Sequence, residues 1–204
     1  QAFHAAGIPK DVFQNIFLEH QTTSSLIEDR AFDFINFTGS VQGGKAIETA
    51  ANGTFTTIGL ELGGKDSGYV MDDADLDKAV DTLIDGAMFN SGQCCCGIER
   101  IYVHESLFKD FVDKAVAIVN NYKLGNPLDA ETTLGPMAHV RFADEVRAQI
   151  AEAVTAGAIA LIDPSKFPTD GGAYLMPQLL INVTHEMRLM REESFGPVVG
   201  IMPV

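Results

Sequence analysis

Phe32-Asp33-Phe34-Ile35-Asn36-Phe37 alternates apolar and polar residues, then turns through Thr38-Gly39-Ser40. Alternation is the period of a strand, and a small-residue turn ending in Ser is a helix start. A helix is expected from about Val41 to Ala51, closed near Asn52-Gly53. Thr56-Thr57-Ile58-Gly59-Leu60-Glu61-Leu62 then reads as a second strand, stopped by Gly63-Gly64. Strand, helix and strand at this spacing imply a parallel sheet with covering helices, hence an α/β fold.

Working outward, Asn15-Ile16-Phe17-Leu18 reads as a buried strand and Thr22 to Asp29 as a short helix. Gly63-Gly64 is the candidate domain boundary, giving segments 1–63 and 64–204. Beyond it, Ser67 to Met71 is a strand, and Asp72-Asp73-Ala74-Asp75 caps a helix through Leu76, Val80, Leu83, Ile84 and Ala87. That helix fades into Asn90-Ser91-Gly92. Arg100 to His104 is a strand, followed by a helix from Ser106 to Tyr122 with Leu107, Phe111, Ala115, Ile118 and Val119 on one face. A helix over Val140–Ala156 and strands at Ile159–Ile162 and Leu179–Val183 follow.

The chain opens in Gln1-Ala2-Phe3-His4-Ala5-Ala6-Gly7-Ile8-Pro9, the tail of a helix closed by Gly and Pro. It closes on the apolar, strand-like run Val198 to Val204. Both ends read as cut inside a fold, so a piece of a larger protein, truncated at both ends, is expected.

Hydrophobic residues make up 46% of the 204, and Lys+Arg of 14 against Asp+Glu of 28 leaves a net charge of −14. That charge repels phosphate backbones and anionic lipid, so neither nucleic acid nor membrane is an expected partner. The three cysteines all lie in the run Gly92-Gln93-Cys94-Cys95-Cys96. Adjacent thiols cannot form a disulfide framework, and their spacing is poor for zinc, so no metal is expected. Either one thiol is reactive or the three are a cluster without chemistry. Unpaired thiols fit a reducing compartment, the cytoplasm.

Two further features carry chemistry. The Thr38-Gly39-Ser40 turn with Gly43-Gly44 offers backbone N–H groups to an anion, unless Ser40 is a plain helix cap. Glu61 lies on the apolar run Ile58 to Leu62 at the carboxyl end of its strand. Burial there would raise its pKa towards that of a general base, while a salt bridge to Lys65 or Arg100 is the structural alternative.

Together these segments carry a resemblance. Leu60-Glu61-Leu62-Gly63-Gly64-Lys65, Gly92-Gln93-Cys94-Cys95 and Glu193-Ser194-Phe195-Gly196-Pro197 resemble three signatures of the NAD(P)-dependent aldehyde dehydrogenase superfamily. Phe37-Thr38-Gly39-Ser40 resembles its cofactor turn. The resemblance implies the end of a Rossmann-like NAD(P)-binding domain in segment 1–63 and an incomplete thiol-bearing α/β catalytic domain in 64–204. It implies Cys95 as nucleophile, with Cys94 and Cys96 as neighbours, and Glu61 as the base that activates water. Phe37, Gly39, Ser40, Gly43, Gly44 and Leu62 would line the cofactor, Glu193 would hold the nicotinamide ribose and Phe195 would pack beside it. Lys65 and Gln93 would be structural support.

The implied reaction oxidises a small aldehyde to a carboxylic acid with NAD or NADP, through a cysteine thiohemiacetal and thioester. A relative that passes its thioester to coenzyme A is the second reading, disfavoured by Glu61; a non-catalytic folded fragment is the third. By the resemblance, the oxyanion-hole Asn and the adenosine-ribose Lys lie before residue 1, and the oligomerisation strand lies after Val204. A homo-oligomer is expected for the complete enzyme. Ser67 stands where Pro is common, and the turn after Leu18 lacks the glycines of many members.

Overall fold

Strand periodicity and helix caps account for most elements of the computed structural model, which describes residues 2–167 and 171–204. Gln1, read as part of an opening helix, lies outside them, as do residues 168–170. The chain divides into two compact units, Gln1–Leu62 and Gly63–Val204.

In the first unit, helix α1 (Ala2–Ala5) is exposed and helix α2 (His20–Glu28) buries Ile27. Strand β1 (Phe34–Thr38), helix α3 (Val41–Ala51) and strand β2 (Thr57–Glu61) form the expected parallel unit, with Ile35 opposite Ile58 and Thr38 opposite Glu61. Ile35 and Ile58 share one sheet face and pack with Ile27, Ile47, Ala50 and Ala51, so α2 and α3 cover that face. Asn15–Leu18 is not a strand: it runs exposed and irregular, with Phe17 95% accessible. An apolar run becomes a strand only where a neighbour completes its ladder. Among the described residues, β1 and β2 pair only with each other.

The second unit holds a five-stranded sheet in the order β3-β4-β7-β6-β5. Its strands are β3 (Asp66–Val70), β4 (Ile98–Val103), β5 (Ile159–Ala160), β6 (Gln178–Ile181) and β7 (Val198–Pro203). The pairings are parallel except that β5 runs antiparallel to β6. Helices α4 (Leu76–Met88) and α5 (Glu105–Val119) pack on one face through Val80, Ile84, Phe111 and Ala115, against Ile101, Val103, Val199 and Ile201. Helices α6 (Val140–Thr155) and α7 (Arg188–Arg191) cover the other, against Leu180 and Val198. Burial on both faces explains the continuous apolar run at β7, since a parallel sheet clad by helices has no solvent side. Asp75 caps α4 by accepting from the Lys78 amide at 3.2 Å. The strand expected over Ile159–Ile162 is only the two-residue β5: the Leu161 amide is shared between the Leu179 carbonyl and the Gln178 side chain, and the Ile162 amide turns to the Gln178 side chain at 2.9 Å. Among the described residues no helix is long and apolar enough to cross a membrane.

Candidate active site

In the first unit the residues singled out in the sequence gather at the carboxyl ends of β1 and β2. The Phe37 ring lies over the Cα atoms of Gly39 and Gly43, and Leu62 packs on Gly44. Ser40 caps α3: its Oγ accepts from the Gly43 amide at 3.1 Å. The Gly39 amide donates to the Glu61 carbonyl at 3.0 Å. The Gly44 amide donates to the Ser40 carbonyl at 2.9 Å, so three of the N–H groups expected to face an anion are used internally, and Ser40 has the plainer role.

Glu61 ends β2 and is exposed, which corrects the expectation of a buried carboxylate. Strand alternation gives the reason. Ile58 and Leu60 point to the helix-covered face, so Glu61 shares the other face with Gly59, which contributes no side chain. Lys65, named as a structural partner for it, pairs with Glu99 inside the second unit.

In the second unit the residues collect at the amino ends of β3, β4 and β7. After α4 the chain enters a left-handed turn, with φ of 51° at Asn90, 56° at Ser91 and 70° at Gly92. L-residues rarely hold this conformation, so the surroundings must fix it. The Ser91 hydroxyl donates to the Gly135 carbonyl at 2.8 Å, and Asn90 Nδ2 donates to the Gln93 carbonyl at 3.1 Å. Gln93 Nε2 donates back to the Asn90 carbonyl, while its Oε1 accepts from the Ala138 amide at 2.7 Å. Gly92 presses against the Gly196 carbonyl so closely that no Cβ fits.

The clamped turn delivers the three thiols, none in a disulfide. Cys95 is exposed, and its carbonyl lies near Gly64. Cys94 Sγ and Cys96 Sγ are 3.4 Å apart. The contact with Cys94 pushes the Cys96 thiol above its ordinary pKa, and less of it is thiolate at neutral pH.

Opposite this turn lies the segment Glu193–Gly196. The Glu193 carboxylate occupies the space a side chain at Gly63 would need, and Oε1 accepts from the Gly64 amide at 3.3 Å. Burial, and then the neighbouring Glu99, raise its pKa above the usual carboxylate value. Phe195 is 39% accessible and has φ of 50°, an outlier for so bulky a residue.

Two participants escaped the sequence reading. Glu99, 4% accessible, pairs with Lys65 Nζ at 2.6 Å and accepts from the Ser194 and Phe195 amides at 2.8 and 2.9 Å. Burial lowers the Lys65 pKa more than the Glu99 charge raises it. Gln149, on the buried stripe of α6, donates to the Glu193 carbonyl at 3.2 Å. A signal existed for each: Glu99 alternates in register with Ile101 and Val103, and Gln149 interrupts the apolar stripe Ala143, Val146, Ala153.

The arrangement can present a nucleophilic sulfur beside a partly buried carboxylate acceptor and an exposed aromatic face. The family model described as "Aldehyde dehydrogenase family" matches residues 1–204. The chain belongs to the aldehyde dehydrogenase family. It is 37% identical to the NAD(P)+ succinate semialdehyde dehydrogenase Sad of Escherichia coli (strain K12), over 98% of this chain and 43% of that relative. Among solved structures, lactaldehyde dehydrogenase from Escherichia coli superposes with a TM-score of 0.91 at 32% identity, covering 98% of this chain and 42% of that one. Betaine aldehyde dehydrogenase from Staphylococcus aureus, in complex with NAD+, gives 0.90 at 30% identity, covering 98% and 41%. The chain therefore spans about 43% of the length of the curated relative Sad. The α/β class with parallel sheets is that of these aldehyde dehydrogenase structures.

Proposed function

We propose that this aldehyde dehydrogenase segment works within an enzyme that oxidises an aldehyde to a carboxylic acid with NAD or NADP, using Cys95 as nucleophile. The observation that carries the reading is the clamped left-handed turn, which sets the exposed Cys95 loop against the Glu193–Gly196 segment. Strain over-determined by surrounding bonds is characteristic of sites that must hold a geometry.

The residues fit a nicotinamide ribose. The Glu193 carboxylate accepts hydrogen bonds, has a lone-pair-rich edge beyond its Gly64 contact, and is left without a side chain in front of it by Gly63. Phe195 offers an apolar ring face beside it. In the first unit, Phe37, Gly39, Ser40, Gly43, Gly44 and Leu62 line the cofactor in this reading. When bound, the nicotinamide accepts the hydride. The relative Sad carries NAD(P)+ in its name, and the solved betaine aldehyde dehydrogenase holds NAD+.

The Cys95 sulfur adds to the aldehyde carbonyl, and the Cys95 backbone N–H donates to the resulting oxyanion. Loss of hydride leaves a thioester on Cys95. Glu61 takes a proton from water, whose oxygen displaces the sulfur and releases the acid. Cys94 and Cys96 take no part. The reading includes a homo-oligomer and the cytoplasm, where three unpaired thiols persist.

Steady-state formation of reduced cofactor by the whole enzyme, with semialdehydes, lactaldehyde and betaine aldehyde as substrates, tests the proposal. Acid should accumulate in step with reduced cofactor. Acyl-coenzyme A formation, or turnover that persists in Cys95→Ala, would refute it.

A further inference from the structure

We infer that Glu99 is a positioning residue whose ion pair with Lys65 sets Glu193 and Phe195; the catalytic consequence rests on the reading in which those two meet the cofactor. The alternation of β4 points Glu99 the same way as Ile101 and Val103, both core residues. A carboxylate in that place is unfavourable unless it is paired and hydrogen-bonded, and an apolar residue would serve stability at least as well. What the carboxylate adds is direction.

Both oxygens are committed to one segment. Oε1 accepts from the Phe195 amide, and Oε2 accepts from the Ser194 amide and from Lys65 Nζ. Lys65 Nζ also donates to the Ser194 hydroxyl at 3.0 Å. One of the two bonded amides belongs to Phe195, whose left-handed backbone needs an outside restraint. Lys65 in turn follows Gly63 and Gly64, the residues against which the Glu193 carboxylate rests. One ion pair thus holds both sides of the Glu193–Gly64 contact. The Lys65 backbone is fixed as well, because its carbonyl accepts from Arg100 Nη2 at 2.6 Å. Glu99 stands at the start of β4, directly after the turn that carries the cysteines, so it also sets that contact relative to the Cys95 loop.

The test is Glu99→Gln in the whole enzyme, with Lys65→Met measured alongside as the variant that keeps the carboxylate. Amide exchange at Ser194 and Phe195 should quicken while core amides of β4 and β7 stay protected. The KM for NAD(P)+ should rise about tenfold or more, with the aldehyde KM and the alkylation rate of Cys95 little changed, and Glu99→Gln should add little to Glu193→Gln, as coupled residues do. Multiplying effects of Glu99→Gln and Glu193→Gln, or a lowered melting temperature with unchanged cofactor KM and unchanged amide exchange at 194–195, would overturn the inference. If Glu193→Gln itself leaves the cofactor KM unchanged while Glu99→Gln frees the two amides, the positioning stands and the cofactor reading falls.

Discussion

Glu99 holds Phe195 in a left-handed backbone conformation: its Oε1 accepts from the Phe195 amide at 2.9 Å, and φ there is 50°. A core-facing carboxylate and a strained aromatic residue are each unfavourable alone, and here each accounts for the other. The neighbouring Glu193 inherits its place from them, and the chemistry proposed for Cys95 depends on that place.

Replacing Cys95 by Ala should lower aldehyde oxidation by the whole enzyme by about a thousandfold or more, since a covalent route loses its nucleophile. Cys94→Ala and Cys96→Ala should each retain most of the rate. Equal losses at the three positions, read from reduced-cofactor formation, would remove Cys95 from its role.

Glu61→Gln should slow thioester hydrolysis and spare hydride transfer. Rapid mixing should then show a burst of reduced cofactor close to one per active site, followed by a steady rate about a hundredfold lower, within the usual contribution of a general base. A variant without the burst would place Glu61 in the first half-reaction instead.

The raised Glu193 carboxyl makes stability depend on pH with a definite sign. In the folded chain it keeps its proton at pH values where an unfolded carboxyl, ordinarily near 4.5, has lost it. Its contribution is present below 4.5 and declines as pH rises through the raised folded value. Urea unfolding of wild type and Glu193→Gln over a pH series should show the wild type losing ground through that window and a constant difference above it. A difference independent of pH throughout would contradict the burial-raised carboxyl.

Gly92→Ala should destabilise the second unit by about 2 kcal/mol or more, because it places a Cβ both at positive φ and against the Gly196 carbonyl. Denaturation midpoints check this, and alkylation of Cys95 should lose its site selectivity in the same variant. Wild-type behaviour in both measurements would show that the turn has room to relax.

Elements whose signals are local were legible in the sequence. Phe34–Thr38, α3 and Thr57–Glu61 announce themselves by alternation, the Ser40 cap and Gly53, which sits at φ of 76°. Elements that depend on a distant neighbour were not. Asn15–Leu18 has a strand's composition without a ladder partner among the described residues, and Glu61 looked buried because a run containing Gly59 was counted as apolar on both faces. Glu99 was overlooked because its meaning lies in residues 194 and 195, which no local window contains. Motif order brought Cys95, Glu193 and Phe195 to attention, but the bonds that hold them are tertiary.

Glu99 and the amides it binds are separated by 95 and 96 residues of chain. During synthesis the cysteine run therefore leaves the ribosome long before the segment that orients its surroundings exists. Contacts between such distant residues form late, after the loop between them has closed. For that interval the nascent polypeptide carries its three thiols without the contacts that, in the proposed reading, orient Cys95. The setting proposed for Cys95 thus cannot assemble before residues 193–196 have been made and docked against the cysteine turn.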